Sequence, residues 1–416
     1  MFSNRILVSF ATVWMISMAV SCARIGIDDL GPEGNFPPFP KPTEQIDRVP
    51  LTRAEQDFIQ AGNAFAWKMA ADIWKTEREN GSLILSPLSV QYALGMLGNG
   101  ASGETADRIA KVLGYEGREV VNAFCAKLMA DLPKVDTTVT LALANAVLAD
   151  ERFSFNPDFR AAVEGPYDAE VAGMPFSNPD KVLERINAWC REHTYGRIDK
   201  ILDSVSPADL VYLMNAIYFN ARWSDVFDAS ATRSEKFTRR SGKSVTLKMM
   251  HKTRYYPYSE NDLAQHVSLP YGNGRYKMDI YLPKPSSSLE EVINSSPDAN
   301  LAWPSREVIL SIPRFETRSS MALLDVISGM GIPRYPYDGI IASKVDLAIS
   351  QVTQKAYIRV DESGTEAAAV TIIGMLGAGP VTPPPPVTFT ADHSFLYTIS
   401  ETTSGVILFI GVYDGD

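Results

Sequence analysis

Histidine and cysteine, which build many catalytic and metal centres, are scarce in this 416-residue sequence. It contains four histidines and three cysteines. No histidine lies in an HExxH motif or a paired metal-ligand spacing, and the sequence has neither a GxSxG elbow nor a P-loop. These absences argue against an enzyme, a metal site or a bound cofactor. We interpret the histidines as surface or packing residues: His193, His251, His266 and His393.

The cysteines are too few for a disulfide framework. Cys22 lies in the N-terminal leader, so Cys125 and Cys190 remain in the body of the chain. These two residues are compatible with one bridge or with two thiols. Because free cysteine behaves as a small hydrophobic residue, we expect two buried thiols.

An excess of positive charge is also missing. The chain has 39 Lys and Arg residues against 49 Asp and Glu residues, a formal net charge of −10. A nucleic-acid-binding protein needs a basic face, so nucleic acid is not an expected partner. Hydrophobic residues make up 45% and charged residues 21% of the chain, as in ordinary globular proteins.

Residues 1–22 have the pattern of an export signal. Arg5 precedes an apolar run at residues 6–20, which is too short for a good membrane span. Ala19-Val20-Ser21 is a small-residue cleavage site before Cys22, and this arrangement resembles a bacterial lipoprotein signal, although such signals prefer Leu at the position of Ala19. We expect Cys22 to be lipidated, which predicts an outer-membrane lipoprotein at the cell surface or periplasmic face. The alternative is an ordinary secretory signal and an extracellular protein.

Residues 23–50 contain several prolines and no apolar period, so we expect an extended tether. If Cys22 is acylated, the tether holds the domain off the membrane, and the lipid is its only membrane contact. Residues 51–416 have neither an internal repeat nor a linker, and we interpret them as one domain.

Local patterns predict several elements of this domain. Thr52-Arg53-Ala54-Glu55 fits a capping box at the start of a helix that stops at Asn80-Gly81. Alternating hydrophobicity predicts a strand at residues 139–148, and Asn178 is placed to cap a helix at residues 181–193.

Residues 98–103 formally match GxGxxG. A dinucleotide site requires a strand before the first glycine, whereas an amphipathic helix precedes this one. We therefore interpret the glycines as a connection between two helices.

The most informative stretch is residues 364–379, GTEAAAVTIIGMLGAG, which is apolar but rich in Gly and Ala and is followed by Pro380. Its neighbours in the sequence are typical of core strands. Such a conflict between local propensity and context often marks a functional site. We interpret the stretch as a strand held out of its sheet. Its first six residues are a small-residue hinge: Gly364-Thr365-Glu366-Ala367-Ala368-Ala369.

This hinge, preceded by Asp361-Glu362, resembles the hinge of the serpin family, protease inhibitors that trap their target by loop insertion. Similar family segments recur along the chain and extend the resemblance over residues 51–416. They are Ser86-Pro87-Leu88-Ser89-Val90, Ile186-Asn187-Ala188-Trp189, and Asn215-Ala216-Ile217-Tyr218-Phe219 with Trp223.

The resemblance implies a mixed α/β (α+β) fold. We expect a large, mostly antiparallel central sheet, smaller sheets, about eight or nine helices and an exposed reactive loop at about residues 362–388. It also implies a region where the central sheet opens, with Arg314 and Glu362 as an ion pair at its top. The expected residues of that region are Ser86, Ser89, Asn215, Trp223, Arg314 and Gln354. Gln354 stands where many family members have histidine, and Ser394 replaces a common proline.

The family function implied is suicide inhibition of serine endopeptidases by a monomer, with cysteine endopeptidases as a further candidate class of target. An inserted strand needs free backbone N–H groups and no charge on its buried face. Residues 365–379 contain no proline, and alternation puts Thr365, Ala367 and Ala369 on one uncharged face, with Glu366 opposite. The alternative is a non-inhibitory binding protein whose loop never inserts.

Counting the family's hinge-to-cleavage spacing from Gly364 places the reactive bond at Ala378–Gly379, with Met375 and Leu376 as rivals. The position of Pro380 is consistent with this count, because cleavage must precede the first residue that lacks a backbone N–H. Ala378 favours elastase-like targets, and the rivals favour chymotrypsin-like ones. Residues 365–389 contain no Lys or Arg, so trypsin-like proteases should be poor targets.

Overall fold

The computed structural model describes residues 42, 44–115, 117–298, 303–343, 347–349, 351–365 and 384–416. The α-helices within these ranges are α1 (Arg53–Glu77), α2 (Pro87–Gly100), α3 (Gly103–Leu113), α4 (Arg118–Asp131), α5 (Pro157–Tyr167), α6 (Pro179–His193), α7 (Leu289–Asn294) and α8 (Leu324–Gly329). Short 3-10 turns occur at Arg78–Asn80, Leu132–Lys134 and Ala229–Ala231. None of the described helices combines the length and apolarity needed to span a bilayer.

Fifteen strands complete the described secondary structure. They are β1 (Leu83–Leu85), β2 (Thr140–Asp150), β3 (Ala169–Met174), β4 (Val211–Arg222), β5 (Arg233–Thr238), β6 (Ser244–Glu260), β7 (Ala264–Tyr271), β8 (Tyr276–Pro283), β9 (Ser305–Pro313), β10 (Phe315–Ala322), β11 (Thr353–Val360), β12 (Gly364–Thr365), β13 (Val387–Thr390), β14 (Phe395–Glu401) and β15 (Ile407–Tyr413).

The helix ends follow from local chemistry. Thr52 caps α1 through the predicted capping box with Glu55. Gly81, at φ 90°, ends the 3-10 turn Arg78–Asn80 that follows α1. Ser86 caps α2, and Asn178 caps α6 through the backbone N–H of Lys181. The GxGxxG match spans the end of α2, which includes Gly98 and Gly100, and the start of α3 at Gly103. This confirms the interpretation of a helix-to-helix connection.

Three hydrogen-bonded sheets are present in the described residues. The largest has nine strands, eight of them in the order β1-β15-β14-β8-β7-β6-β9-β13, with β5 also paired to β6. A second sheet has the order β12-β4-β2-β3, and the third consists of β10 and β11. Parallel pairing occurs between β2 and β3 and between β9 and β13, and the other ladders are antiparallel. The predicted mixed, mostly antiparallel architecture is confirmed.

Two helices cover opposite sides of the strand pair β2 and β4. On one side lies α2, most of whose residues are buried in the main core. On the other side, α6 packs a separate apolar cluster against β4, with Ile186 and Trp189 contributing from the helix and Met214 from the strand. The strand pair is therefore packed on both faces.

The last residues of the predicted tether contact the domain. Val49 is buried at 3% exposure, and Ile46 packs against the core. The backbone N–H of Ile46 donates to the carbonyl oxygen of Lys134 at 3.0 Å. The folded part of the chain therefore begins before Leu51.

Cys125 on α4 and Cys190 on α6 are both buried free thiols. Burial raises the pKa of each thiol to about 12, so both stay protonated at neutral pH. They lie in separate apolar clusters and act as small hydrophobic side chains.

Candidate functional site

The chain reverses direction immediately after β11. The backbone N–H of Asp361 donates to the carbonyl oxygen of Gly364 at 3.0 Å, and the Gly364 N–H donates back to Asp361 at 3.1 Å. The Asp361 carboxylate also accepts from the N–H of Ser363 at 2.9 Å. This tight turn sends β12 back antiparallel to β11.

Strand β12 pairs with β4, where Gly364 lies opposite Arg222 and Thr365 opposite Ala221. Because β12 is antiparallel to both β4 and β11, those two longer strands run in the same direction. In the described residues, no ladder joins β4 to β11 directly. The space between them, which we call the central gap, is bordered by two parallel strands and is entered at one end by the hinge.

Below the hinge, the central gap contains a cavity of about 250 Å³. Leu213 and Asn215 of β4 line one side, and Thr353 and Gln354 of β11 line the other. Leu94 of α2 contributes to the lining as well. This cavity therefore separates the two strands well below the point where β12 ends.

Gly364 lies where the hinge backbone passes close to β4. Its φ of 132° is one that side chains rarely adopt. A Cβ atom there would lie 2.5 Å from both the carbonyl oxygen of Ala221 and the backbone nitrogen of Trp223. Glycine is therefore required for β12 to pair with β4.

Thr365 is buried at 6% exposure, and its hydroxyl lies 3.2 Å from the hydroxyl of Tyr271. The Tyr271 ring stacks on Trp223, with centroids 4.4 Å apart. The Trp223 indole N–H donates to the carbonyl oxygen of Asp361 at 2.9 Å, and its backbone N–H donates to Ser363 at 3.0 Å. Trp223 therefore lies at the hinge, as the resemblance implies. Tyr271 was not among the predicted site residues.

The ion pair expected between Arg314 and Glu362 is present. Arg314 Nη2 donates to Glu362 Oε1 at 2.6 Å, and Arg314 Nε donates to Oε2 at 3.1 Å. Thr232, which our sequence analysis missed, donates its hydroxyl to the same carboxylate at 2.6 Å. Burial alone would raise the pKa of Glu362, but the hydrogen bonds from Thr232 and Arg314 outweigh it and hold that pKa below its ordinary value. We call these three residues the hinge clasp.

Gln354 ties β11 to the start of α2. Its side-chain oxygen accepts from the backbone N–H of Ser86 at 2.9 Å, and its amide nitrogen donates to the Ser86 carbonyl at 2.8 Å. The Ser86 hydroxyl in turn donates to the carbonyl of Leu408 on β15 at 2.8 Å. Glutamine supplies both a donor and an acceptor at a position where many family members have histidine.

Ser89, one turn along the same helix, ties α2 to β4. Its hydroxyl donates to the side-chain oxygen of Asn215. The Asn215 amide donates to Asn145 on β2 at 2.6 Å, and Asn145 donates to the carbonyl of Tyr167 at 2.7 Å. Asn145 and Tyr167 extend this network beyond the predicted residues, and no sequence motif marks them as partners.

The strands that border the central gap are thus each bonded to the first turn of α2, at Ser86 and Ser89. This arrangement fixes their distance through a helix and leaves the facing edges without a common ladder. Chemically, the facing edges offer backbone donors and acceptors to an antiparallel strand placed between them.

Several predicted site residues lie outside the described part of the chain. The structure therefore gives no position for the remaining hinge residues, the reactive-bond candidates or the lipidation site. These are Glu366, Ala367, Ala368, Ala369, Met375, Leu376, Ala378, Gly379 and Cys22.

The histidines lie apart from one another and contact structural neighbours. His193 bonds the carbonyl of Trp189, His251 pairs with Glu235, His266 meets the Ser259 hydroxyl, and His393 lies between Asp392 and the Pro283 carbonyl. No group of three or more His, Cys, Asp or Glu side chains suited to a metal ion occurs in the described residues.

Comparison with known protein families identifies this architecture. The sequence profile of Serpin (serine protease inhibitor) matches residues 60–414. The chain therefore belongs to the serpin family. Members of this family are in general inhibitors of serine proteases rather than catalytic enzymes.

Curated relatives and solved structures agree with this assignment. An uncharacterised serpin-like protein of Thermococcus kodakarensis is 32% identical, covering 91% of this chain and 92% of the relative. The leukocyte elastase inhibitor of Bos taurus is 32% identical over 83% of this chain and 96% of its own length. A serpin of Arabidopsis in its native stressed conformation superimposes with a TM-score of 0.77 at 26% identity, covering 87% of this chain and 98% of that one.

The hinge clasp should be sensitive to acid. Because the folded-state pKa of Glu362 lies below its ordinary value of 4.5, the clasp stabilises the hinge above about pH 4.5 and loses this effect as the pH falls through the lowered pKa. We expect Glu362→Gln to lower the protection of the hinge by about 1–3 kcal/mol at neutral pH and to remove its pH dependence.

The measurement is hydrogen exchange at the Trp223 and Phe227 amides, which donate to Ser363 and Glu362, with rates corrected for intrinsic pH dependence. Glu316→Gln, which removes an exposed pair with Arg318, is the matched control and should change little. Equal protection of these amides in wild type and Glu362→Gln would show that the clasp does not hold the hinge.

Proposed function

We propose that this protein is a suicide inhibitor of serine endopeptidases that acts by loop cleavage, covalent trapping and insertion of the loop into the central gap. The observation that carries this proposal is the arrangement of β4, β11 and β12. Two parallel strands are held apart by their bonds to α2, and the first two residues of the hinge already pair with one of them.

The proposed reaction begins when the serine of the target protease attacks the reactive bond and forms an acyl-enzyme. Cleavage frees the loop to continue from Thr365 into the central gap as an antiparallel strand. The bound protease is carried with it and distorted before the acyl-enzyme is hydrolysed. A cysteine nucleophile forms an analogous thioester, so cysteine proteases are secondary candidates.

Energetically, the proposal requires a native state that is kinetically rather than thermodynamically favoured. Each ladder hydrogen bond gained on insertion contributes about 1 kcal/mol net, and residues 365–379 carry neither proline nor a charge on the face of Thr365. Alternate side chains of a strand share one side. The burial of Thr365 beside Tyr271 therefore supports the interpretation that the face of Thr365 is the one buried on insertion.

We further propose that the targets are elastase-like, or chymotrypsin-like if Met375 or Leu376 is the reactive residue. Ala378 suits a small specificity pocket, and residues 365–389 contain no Lys or Arg for a trypsin-like enzyme. The similarity over most of both chains to an inhibitor named for leukocyte elastase supports this choice.

Replacing Thr365 with Arg should convert the inhibitor into a substrate. Insertion would then bury an unpaired charge at a cost of several kcal/mol, so the acyl-enzyme should hydrolyse first. We expect the stoichiometry of inhibition to rise by at least about tenfold. This rise requires that insertion become less favourable relative to hydrolysis by about 1.4 kcal/mol. The measurement is titration of an elastase with gel analysis of complexes that resist boiling detergent.

Thr388→Arg is the matched control. It makes the same change on β13, where Thr388 is exposed and no insertion is proposed, and it should inhibit like the wild type. A Thr365→Arg variant that forms complex at the original stoichiometry would refute loop insertion. A non-inhibitory binding protein would form no covalent complex with any variant.

The reactive bond is proposed at Ala378–Gly379. We expect the C-terminal peptide released from the denatured complex to begin at Gly379, which N-terminal sequencing or mass spectrometry identifies. A peptide beginning at Leu376 or Gly377 would instead assign Met375 or Leu376 as the reactive residue. A start beyond Pro380 would overturn the proposed strand, because proline lacks the N–H that a ladder requires.

We also propose that the protein is exported and anchored as a monomer through a lipid on Cys22. The motivation is the small-residue cleavage site before Cys22 and the proline-rich sequence that follows. We expect the native protein to partition into detergent and the Cys22→Ser variant to remain in the aqueous phase. Mass spectrometry of an unmodified N-terminus at another residue would instead favour an ordinary secretory signal and an extracellular protein.

A further inference from the structure

The cavity between β4 and β11, with its volume of about 250 Å³, has a mainly apolar lining that reaches the surface. Leu94 of α2 is buried there, and Leu323 and Ile340 contribute two further buried apolar side chains. Two other lining residues, Ala208 and Gln351, are exposed, so the cavity opens to solvent. We call this site the gap cavity.

The polar groups that border the strands in the gap cavity are already bonded within the protein. The Ser89 hydroxyl donates to Asn215, and the Asn215 amide donates to Asn145 at 2.6 Å. The Gln354 amide both donates to and accepts from the backbone of Ser86. Because a buried water needs two to four polar partners, the cavity suits an apolar occupant better than it suits water.

The lining also disfavours a charged occupant. Among the lining residues, all of which the structure describes, none is Lys, Arg or His, and Asp209 supplies the one carboxylate. That carboxylate already accepts from the Ser206 N–H at 3.1 Å and from the Tyr212 hydroxyl. An anion would find no cationic partner, and a cation would exchange water for a mainly apolar lining, so burying either charge is costly.

The volume of the gap cavity limits the size of its occupant. An apolar cavity of about 150 Å³ holds benzene. In proportion, a cavity of about 250 Å³ holds an apolar group of roughly ten non-hydrogen atoms. A medium-length alkyl chain or a fused two-ring group has this size.

We propose that the gap cavity binds a neutral amphiphile, with an apolar part of roughly ten non-hydrogen atoms and an uncharged polar end at the opening beside Gln351. Leu213 and Asn215 lie farther from the hinge along β4 than Ala221, so a strand that extends β12 along the central gap must pass this site. The bound molecule would therefore oppose insertion and regulate inhibition. This regulatory role rests on the proposed function, whereas binding in the cavity does not.

The test uses 1-decanol and ionised decanoate, which share an alkyl chain and differ in the charge of the end group. We expect 1-decanol to bind the full chain saturably and to shift the methyl resonance of Ile340, which lines the cavity, but not that of Ile280 in β8. Decanoate should bind at least about tenfold more weakly, because its carboxylate has no cationic partner. Calorimetry measures the two affinities, and methyl NMR locates the site.

Two variants separate the gap cavity from other apolar surface. Ala93 of α2 lines the cavity, so Ala93→Phe should fill part of it and weaken 1-decanol binding by at least about tenfold. Ala64→Phe, at an exposed position of α1, is the matched control and should bind 1-decanol like the wild type.

Absence of saturable 1-decanol binding, or equal binding by Ala93→Phe and wild type, would overturn the site. A methyl shift at Ile280 as large as that at Ile340 would do the same, and this measurement uses the wild-type chain, so it stands even if Ala93→Phe does not fold. Decanoate that binds as tightly as 1-decanol would overturn the proposed chemical class of the occupant.

The regulatory role is tested by titrating an elastase with the protein in the presence of saturating 1-decanol. We expect the stoichiometry of inhibition to rise for the wild type and to stay unchanged for Ala93→Phe. An unchanged stoichiometry for the wild type, with binding established, would overturn the regulatory role alone. A protein that forms no covalent complex even without 1-decanol would overturn the proposed function together with this role, and the binding result would stand.

Discussion

The structure depends on how β4 and β11 are kept at a distance. Each strand is hydrogen-bonded to the first turn of α2, β11 through Gln354 to Ser86 and β4 through Asn215 to Ser89. The two strands do not share a ladder in the described part of the chain. The space between the strands is therefore held open by side-chain hydrogen bonds, each of which contributes about 1 kcal/mol net to stability. A full ladder between the two strands would close this space.

The top of the central gap is held by a different kind of interaction. There a buried carboxylate, Glu362, accepts from Arg314 and Thr232, while Trp223 binds the turn through both its indole and its backbone N–H. Loss of one partner would leave a buried polar group unsatisfied, which costs more than the bond itself contributes. The turn that begins the hinge is thus held firmly, and the proposed insertion would continue from Thr365.

Much of this site was predictable because its residues lie in short runs that carry family-specific patterns. Ser86, Gln354, Trp223 and the pair Arg314–Glu362 all belong to such runs. Thr232, Tyr271 and Asn145 were not among the predicted site residues, because each reaches the site from a strand or turn that is distant in the sequence. The contacts of Ile46 and Val49 with the domain were not predicted either, since residues 44–50 have no periodic pattern and the burial of these two side chains depends on the surface that they contact.

The general fold was easier to infer from the sequence than the pairing of its strands. Capping residues such as Thr52, Ser86 and Asn178 define helix starts locally, and alternation defines β2. Which strands pair is decided by contacts between residues more than a hundred positions apart, as for β4 and β12. The sequence predicted that residues 364–379 form a strand held out of its sheet, and residues 366–379 lie outside the described part of the chain. The separation of β4 from β11 could be recognised only from the structure.

The close approach of Gly364 to β4 has a consequence for strand register. A slip of one residue would move every side chain of an inserted strand to the opposite face. It would also place Thr365, with its Cβ, where atoms of Ala221 and Trp223 leave room for glycine alone. The steric constraint at Gly364 therefore favours a single register for the proposed inserted strand. In the proposed mechanism, cleavage lets the loop extend the pairing that Gly364 and Thr365 already make with β4.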